Sequence, residues 1–282
     1  MTLSASTLPE ARGGRPLVMG VVNVTPDSFS DGGAWFTPQD AVAHGRDLVA
    51  AGADLLDVGG ESTRPGAQRP SAAEELRRVL PGIEALREAA PVSVDTMRAE
   101  VAAAALDAGA VVVNDVSGGL ADPEMGALVA ERGVPFIAMH WRAHSTVMQS
   151  FAVYDDVVAD VSRELMARVE ALTGAGVAAE NIVLDPGFGF AKKAEHNWEL
   201  LRRLDEVMAL GHRLLVGTSR KTFLGHVGRT PDAVRPPLDR DVATAVTTAH
   251  VARLGVWAVR VHDVVSTIDT LDVVDALRGA HE

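Results

Sequence analysis

The stretch LVMGVVNVTPDSF, residues 17–29, begins as an apolar run and ends in a series of turn-forming residues. The run has the length and composition of a buried β-strand. Seven more runs of this kind follow it, at 53–60, 91–96, 110–115, 135–140, 181–187, 213–219 and 257–263. With the first, placed at 17–24, they give eight predicted strands that stay apolar almost to their carboxyl ends.

Segments with the spacing of amphipathic helices lie between these strands. They cover 38–52, the region around 76–86, 97–108, 123–132, 154–173, 195–210, 239–254 and 266–278. Thr37 and Pro38 suit the N-cap and first residue of the first helix, which Gly52 should stop. Asp122 suits the N-cap of the fourth helix, and Pro81 predicts a kink in the second. Eight alternations of an apolar strand with a helix are typical of a (β/α)8 TIM barrel.

A doubly wound open sheet would show a similar alternation of strands and helices. That fold usually carries the dinucleotide motif G-x-G-x-x-G after its first strand. Here the first strand ends in NVTPDSF, and residues 187–189 give only a lone Gly-Phe-Gly. The barrel is therefore the favoured α/β fold, and we expect one domain at 16–282 behind a disordered tail at 1–15.

The composition excludes several classes of function. The 282 residues are 47% hydrophobic, enough for one large core, and no run approaches the roughly 18 apolar residues of a membrane span. A net charge of −12 argues against binding of nucleic acid, which usually requires a basic patch. The absence of cysteine excludes disulfides, thiolate nucleophiles and cysteine metal clusters. Because the N-terminus also lacks the apolar core of a signal peptide, a cytoplasmic protein is predicted.

Each predicted strand turns polar at its carboxyl end. The residues concerned are Asn23, Asp57, Asp95, Asn114, Asp115, His140, Asp185, Ser219, Arg260 and His262. In a barrel these ends converge on one face, where active sites of this architecture lie. Taken alone, Asn114 or Asp115 could be a helix cap, and His140 could be a satisfied core histidine. Asp95 and Asp185 stand deeper in their strands, where a carboxylate needs a cation or several N–H donors to stay charged.

The last predicted strand places Arg260 and His262 on one face, two residues apart. A guanidinium beside an imidazole suits a phosphate group, so an anion site is predicted there. Lys221, one of only three lysines, follows the seventh strand. It could be a Schiff-base nucleophile, a hydrogen-bond donor to a bound heterocycle or carbonyl, or a solvated surface group, and its position does not separate these roles. Arg220 is expected to form a structural ion pair.

Eight motifs stand in order at the ends of the predicted strands: NVTPDSFSDGG (23–33), DVGGESTRPGA (57–67), SVDT (93–96), NDVSGG (114–119), MH (139–140), DPGFGFAK (185–192), GTSRKTFLG (217–225) and RVHDV (260–264). Together they resemble the dihydropteroate synthase family. The resemblance implies a transferase of folate biosynthesis. Such an enzyme joins 6-hydroxymethyl-7,8-dihydropterin pyrophosphate to p-aminobenzoate, assisted by Mg2+, and releases dihydropteroate and pyrophosphate. The resemblance also implies sensitivity to sulfonamides and a homodimer through outer helices, for which 195–210 and 239–254 are candidates.

The same resemblance assigns residues to the pterin pyrophosphate. The contacts that it implies for the pterin are Asp95, Asn114, Met139, Asp185 and Lys221. Those for the pyrophosphate are Thr63, Arg64, Arg260 and His262, with Asn23 as the one protein ligand of Mg2+. Asp57 would lie behind the site or contact the metal through water. The implied catalytic residues are Asp95, Lys221, Arg260 and His262, with Asp95 stabilising a pterin carbocation after pyrophosphate has left.

For p-aminobenzoate the resemblance implies Phe29, Pro65, Phe190, Ser219 and Thr222, besides Lys221. Family members often have Ser or Arg at the position of Thr222, and its hydroxyl is expected to keep the contact with the carboxylate. The loops at 24–36 and 61–70 are expected to be mobile lids that exclude water from the carbocation.

Three other functions are compatible with parts of this pattern. A non-catalytic paralogue would keep the barrel and bind a pterin or a partner protein. A pterin-binding methyltransferase domain would need no pyrophosphate site, and a Schiff-base aldolase would use Lys221 as its nucleophile.

Overall fold

The computed structural model describes residues 14–25, 38–62, 68–227 and 233–279. Its strands form a closed barrel in chain order. They are β1 (Leu17–Asn23), β2 (Leu55–Gly59), β3 (Val92–Asp95), β4 (Val112–Asp115), β5 (Phe136–Met139), β6 (Ile182–Asp185), β7 (Arg213–Val216) and β8 (Ala258–Val261). All neighbours are parallel, and β1 closes the barrel against β8. The predicted TIM barrel is confirmed, and every predicted strand contains an observed one.

Helices cover the outside of the barrel. They are α1 (Pro38–Ala50), α2 (Ala72–Leu86), α3 (Ala99–Ala108), α4 (Met125–Arg132), α5 (Val157–Gly174), α6 (Ala194–Arg202), α7 (Leu204–Met208), α8 (Thr222–Gly225), α9 (Asp241–Leu254) and α10 (Val264–Arg278). None of the helices within the described ranges is long and apolar enough to cross a bilayer.

Most predicted helices differ from the observed ones by a few residues at their ends, and two of the differences can be assigned to particular residues. The predicted helix at 195–210 is divided into α6 and α7, because the backbone of Arg203 leaves the helical region with φ −115° and ψ 31°. The fourth helix begins at Met125 rather than at 123, and its N-cap is Glu124, so the predicted N-cap at Asp122 is wrong. Asp122 instead contacts the starts of two helices. Its Oδ1 accepts from the Glu124 amide and its Oδ2 from the Ala99 amide of α3, at 3.0 and 2.8 Å.

Two features of α1 and α2 follow from single residues. The proposed N-cap of α1, Thr37, lies outside the described residues, whereas Gly52 follows the helix with φ 105° as its predicted stop requires. Helix α2 starts at the N-cap Ser71 and continues through Pro81 to Leu86. Pro81 therefore lies within one continuous helix, and the kink predicted there does not divide it.

An apolar cluster fills the interior of the barrel. Its members include Leu17, Met19, Leu55, Val112, Ile137, Val183 and Leu215. Because side chains alternate between the two faces of a strand, the residue two positions further along also points inward. On four strands this alternation places a site residue next after a residue of the cluster: Asp57 after Leu55, Asn114 after Val112, Met139 after Ile137 and Asp185 after Val183. The cluster is thus the apolar floor beneath a polar chamber at the carboxyl ends.

Candidate active site

A cavity of about 670 Å³ opens at the carboxyl ends of the strands. It is lined by most of the residues predicted for the site, namely Asn23, Asp95, Asn114, Met139, Asp185, Phe190, Ser219, Lys221, Thr222, Arg260 and His262. The remaining predicted contacts, Phe29, Thr63, Arg64 and Pro65, lie outside the described residues. Strand ends that are far apart in sequence therefore meet around one chamber.

Arg260 holds two carboxylates together. Its Nε donates to Asp57 Oδ2 at 2.6 Å, and a terminal nitrogen donates to Asp95 Oδ2 at 2.9 Å. Asp57 is fully buried and also accepts from Asn114 Nδ2 at 3.0 Å. Asp57 therefore orients both Arg260 and Asn114 from beneath the cavity.

One guanidinium does not neutralise two buried carboxylates. Burial and the neighbouring Asp57 carboxylate raise the pKa of Asp95 to about 8, and Arg260 offsets only part of this effect. A positive charge that develops beside Asp95 would lower this pKa and favour the carboxylate form.

The opposite wall carries Asp185 and Lys221. Asp185 Oδ1 accepts from the Gly187 amide at 2.7 Å, and burial raises the pKa of this carboxyl group. The pKa of Lys221 is lowered to about 8, first by burial and then by the positive charge of Arg260. Lys221 Nζ lies 4.1 Å from the centre of the Phe190 ring, within the range of a cation–π contact.

Ser219 orients His262. Ser219 Oγ lies 3.0 Å from His262 Nδ1 and accepts from the His262 amide at 3.2 Å. The imidazole is thereby fixed through Nδ1 and its own backbone. Ser219, predicted as a p-aminobenzoate contact, thus also supports a residue of the predicted phosphate site.

Asp115, Arg220 and His140 have the structural roles that the sequence allowed for them. Asp115 is buried in its own turn, where it accepts from the Ser117 and Gly119 amides at 2.7 and 2.9 Å. Burial raises its pKa to about 6. Arg220 pairs with Asp241 at 2.8 Å, as expected of a structural ion pair. His140 is buried and hydrogen-bonded on both ring nitrogens.

Lys192, which was not among the predicted site residues, is buried and lines the cavity. Its Nζ contacts His140 Nδ1 at 2.9 Å and the carbonyl oxygens of Gly187 and Phe190 at 3.1 and 3.2 Å. Burial lowers its pKa to about 7. The available signal was its rarity, because only three lysines occur in the chain.

The donor set can be tested against Mg2+. No group of three or more His, Asp or Glu side chains in the described ranges could hold a metal ion on its own. Asn23 lines the cavity at the end of β1 and offers a neutral oxygen, a ligand type that Mg2+ accepts. Asp57 Oδ1, buried nearby in the barrel, has no hydrogen-bond partner among the described residues. The residues therefore fit a metal held by one protein oxygen, water and substrate phosphate.

Comparison with known proteins agrees with this geometry. The model of the pterin binding enzyme family matches residues 19–262. The dihydropteroate synthase of Mycobacterium leprae is 53% identical over 262 residues, which cover 92% of this chain and 92% of the relative. This chain belongs to the dihydropteroate synthase family.

Two solved structures of dihydropteroate synthases extend the comparison. That of Xanthomonas albilineans with 4-aminobenzoic acid matches with a TM-score of 0.86 and 44% identity, covering 94% of each chain. The same organism's enzyme in complex with 7,8-dihydropteroate matches with a TM-score of 0.82 and 43% identity, covering 94% of this chain and 95% of the other. The predictions of a dihydropteroate synthase and of a transferase in folate biosynthesis are confirmed. The alternative of a non-catalytic paralogue is not supported.

Proposed function

We propose that this cavity binds 6-hydroxymethyl-7,8-dihydropterin pyrophosphate and transfers its pterinylmethyl group to p-aminobenzoate. The observation that carries the proposal is the convergence of two recognition sets on one chamber. Asn114 and Asp185 suit the aminopyrimidinone edge of a pterin, while Arg260 and His262 suit a pyrophosphate. The bound ligands named for the Xanthomonas albilineans relatives, 4-aminobenzoic acid and 7,8-dihydropteroate, are the second substrate and the product of this reaction.

The residues of the cavity have different roles in this reaction. Asp185 accepts hydrogen bonds from the pterin, and Lys221, next to it, donates to the ring carbonyl and nitrogen. Arg260 and His262 hold the pyrophosphate while its bond to the methylene carbon breaks. The aniline nitrogen then forms a bond to that carbon and loses a proton, which gives dihydropteroate and free pyrophosphate.

Asp95 stabilises the positive charge that develops on the pterin. It lies within hydrogen-bond reach of Arg260, so it sits between the predicted pterin and phosphate regions. A carboxylate fixed next to a developing cation lowers the barrier because it needs no reorganisation during the reaction.

Mg2+ belongs to the proposal through Asn23. When bound, the metal ion supplies positive charge to the leaving pyrophosphate. Asn23 offers its amide oxygen at the end of β1, and the buried Oδ1 of Asp57 suits a metal-bound water as a hydrogen-bond acceptor. Removal of Mg2+ with a chelator should therefore weaken binding of the pterin pyrophosphate, measured by calorimetry, more than binding of a pterin without phosphates.

The p-aminobenzoate would lie beside Phe190 and Lys221. The Phe190 ring offers an apolar surface, and Lys221, Ser219 and the exposed Thr222 offer donors for a carboxylate. A sulfonamide resembles this substrate and should prevent product formation at saturating concentration.

A homodimer and a cytoplasmic location complete the proposal. Helix α9 exposes Val242 and Val246, whereas α6 and α7 present ion pairs such as Arg202–Glu199 and Arg203–Glu206. Of the two candidate segments, the one that contains α9 is therefore favoured as the contact with a second copy. A cytoplasmic location is consistent with a substrate whose pyrophosphate charge opposes passage through a membrane.

The decisive experiment combines purified protein, pterin pyrophosphate, Mg2+ and p-aminobenzoate, and follows dihydropteroate by chromatography. Product should require all components and should fall by about 100-fold or more in Lys221→Ala, because a half-buried donor to the substrate is lost. Lys193→Ala, a change of an exposed lysine, should stay within about twofold of the parent. Binding of pterin without any product would instead indicate a non-catalytic protein.

A further inference from the structure

Lys192 is a buried cation in the cavity wall with a full set of partners. An ammonium group has three N–H donors, and Lys192 Nζ finds three acceptors in His140 Nδ1, Gly187 O and Phe190 O. Two of these acceptors are backbone carbonyls of the loop at 186–193, which joins β6 to α6. The lysine therefore ties this loop to the end of β5.

The hydrogen bond at His140 Nε2 determines the direction of the one between His140 Nδ1 and Lys192 Nζ. Burial would raise the pKa of Glu164, but hydrogen bonds from His140 and Arg142 lower it to about 2. An ionised Glu164 only accepts, so the His140 Nε2 that lies 2.9 Å from it must carry the proton. Nδ1 is then an acceptor, and Lys192 must donate to it.

The loop needs this support because its backbone is unusual. Three of its residues have positive φ: Gly187 at 70°, Gly189 at 80° and Ala191 at 47°. The value at Ala191 is costly for a residue with a side chain. These turns direct the carbonyls of Gly187 and Phe190 towards the ammonium group of Lys192.

Phe190 belongs to this loop and lines the cavity. Its carbonyl is held by Lys192, and its ring lies against Lys221 Nζ on the side where p-aminobenzoate is expected. The loop has three further polar supports: the Phe190 amide donates to the Gly187 carbonyl at 3.1 Å, Asn197 Oδ1 accepts from the Gly189 amide, and the Tyr154 hydroxyl donates to the Ala191 carbonyl. None of them joins the Phe190 carbonyl to another part of the barrel.

We propose that Lys192 is a positioning residue for p-aminobenzoate, which it serves by holding Phe190 and the 186–193 loop in the shape that forms the wall of the second-substrate site. The proposal rests on the proposed placement of p-aminobenzoate beside Phe190. Lys192 itself touches no reacting atom, so its removal should weaken binding of one substrate rather than slow the chemistry.

The test compares Lys192→Met with Lys193→Met by steady-state kinetics. Methionine keeps an unbranched apolar side chain but removes the donor of all three hydrogen bonds. The KM for p-aminobenzoate should rise about tenfold, while kcat stays within about threefold and the KM for pterin pyrophosphate within about twofold. Lys193→Met changes the adjacent exposed lysine and should leave all three constants within about twofold. An equal effect on both substrates would contradict a role in positioning.

A double-mutant cycle with Phe190→Ala separates this proposal from the placement of the substrate. Phe190→Ala alone should raise the KM for p-aminobenzoate, and an unchanged value would show that the placement is wrong. If Lys192 acts through Phe190, Lys192→Met should have little further effect in the Phe190→Ala background. Additive effects in the cycle would overturn the positioning role and leave the substrate placement intact.

A second variant of Lys192 tests whether the effect of Lys192→Met arises from general disruption of the fold. Lys192→Gln keeps a two-donor group on a shorter side chain, and it should raise the KM for p-aminobenzoate less than Lys192→Met does. Calorimetric binding of pterin pyrophosphate should be retained in both variants, because the pterin contacts Asn114, Met139 and Asp185 belong to barrel strands and not to the 186–193 loop. Loss of pterin binding in both would overturn the proposal by making Lys192 a residue of the fold as a whole.

Discussion

The centre of the site is a single arginine shared by two aspartates. Asp57 is fully buried and orients Arg260 and Asn114 through one oxygen, Oδ2. Replacement by Asn would remove the charge while keeping the shape. The loss of one partner from a buried charge pair is costly because the other charge remains in the protein interior.

We predict that Asp57→Asn lowers kcat/KM for pterin pyrophosphate about 100-fold, because Arg260 and Asn114 lose their fixed orientation. The free energy of unfolding should fall by about 3 kcal/mol in urea titrations. Asp54→Asn is the matched control, because Asp54 also pairs with an arginine, Arg15 at 3.5 Å, but precedes β2 at the opposite end of the barrel. A similar loss of activity in both variants would show that the effect is general instability.

The shared arginine also gives a prediction about pH. The pKa of Asp95 is raised from 3.8 to about 8, so between these values the folded protein holds a proton that the unfolded chain has released. Rising pH therefore favours unfolding across this window. The contribution of Asp95 to stability is complete below about pH 4 and is lost as the pH approaches 8.

Asp95→Asn removes this dependence. The free energy of unfolding of the parent minus that of the variant should fall between about pH 4 and 8 and then level off, as measured by urea unfolding across the range. Other titrating groups, such as His140 and Lys192, are present in both proteins and cancel in the difference. A flat difference curve would mean that Asp95 is ionised throughout the range.

At the scale of elements, an ion network joins α2, the end of β3 and the base of the loop after β2. Glu75 of α2 is fully buried, accepts from the Thr96 hydroxyl at 2.5 Å and pairs with Arg98. Arg98 also pairs with Glu61 at 3.1 Å and donates to the Pro70 carbonyl at 2.7 Å. One guanidinium thus connects both described flanks of the predicted second lid.

We predict that Arg98→Met lowers the free energy of unfolding by about 3 to 5 kcal/mol, because it leaves Glu75 buried without its cation. Burial already raises the pKa of Glu75, so protonation should relieve the variant and the deficit should shrink as the pH falls. Arg77→Met on the same helix is the control. It breaks an exposed pair with Glu74 and should leave the free energy of unfolding close to that of the parent. Equal losses in the two variants would contradict a special role for the network.

The strands and helices also show which parts of the fold and the site could be predicted from the sequence. Strand ends and inward-facing residues followed from apolar runs and the two-residue alternation, so Asn114, Asp185 and Arg260 could be placed on one face before the structure was known. The hydrogen bond between Lys192 and His140 could not, because it joins residues 52 apart in sequence through a long side chain. The break at Arg203 was not predicted because no glycine or proline marks it in the sequence.

At the scale of the whole molecule, α9 and α10 pack together and leave an apolar face outside. Val242 and Val246 of α9 are 76% and 66% exposed, and Val273 and Leu277 of α10 are 59% and 77% exposed. Each pair is one helical turn apart, so each forms a stripe along its helix. Stripes on two neighbouring helices suit contact with a second copy better than the charged surface of α6 and α7.

We predict that the protein sediments as a dimer and that Val246→Glu shifts it to monomer, because a charge at the interface would be buried without a partner. Val153→Glu is the control, since Val153 is 76% exposed in the segment between β5 and α5. Each chain carries a net charge of −12, so the two copies repel each other over a distance set by ionic strength. Added salt should therefore lower the dimer dissociation constant. A dimer that weakens with salt, or that survives Val246→Glu unchanged, would place the contact on a charged face instead.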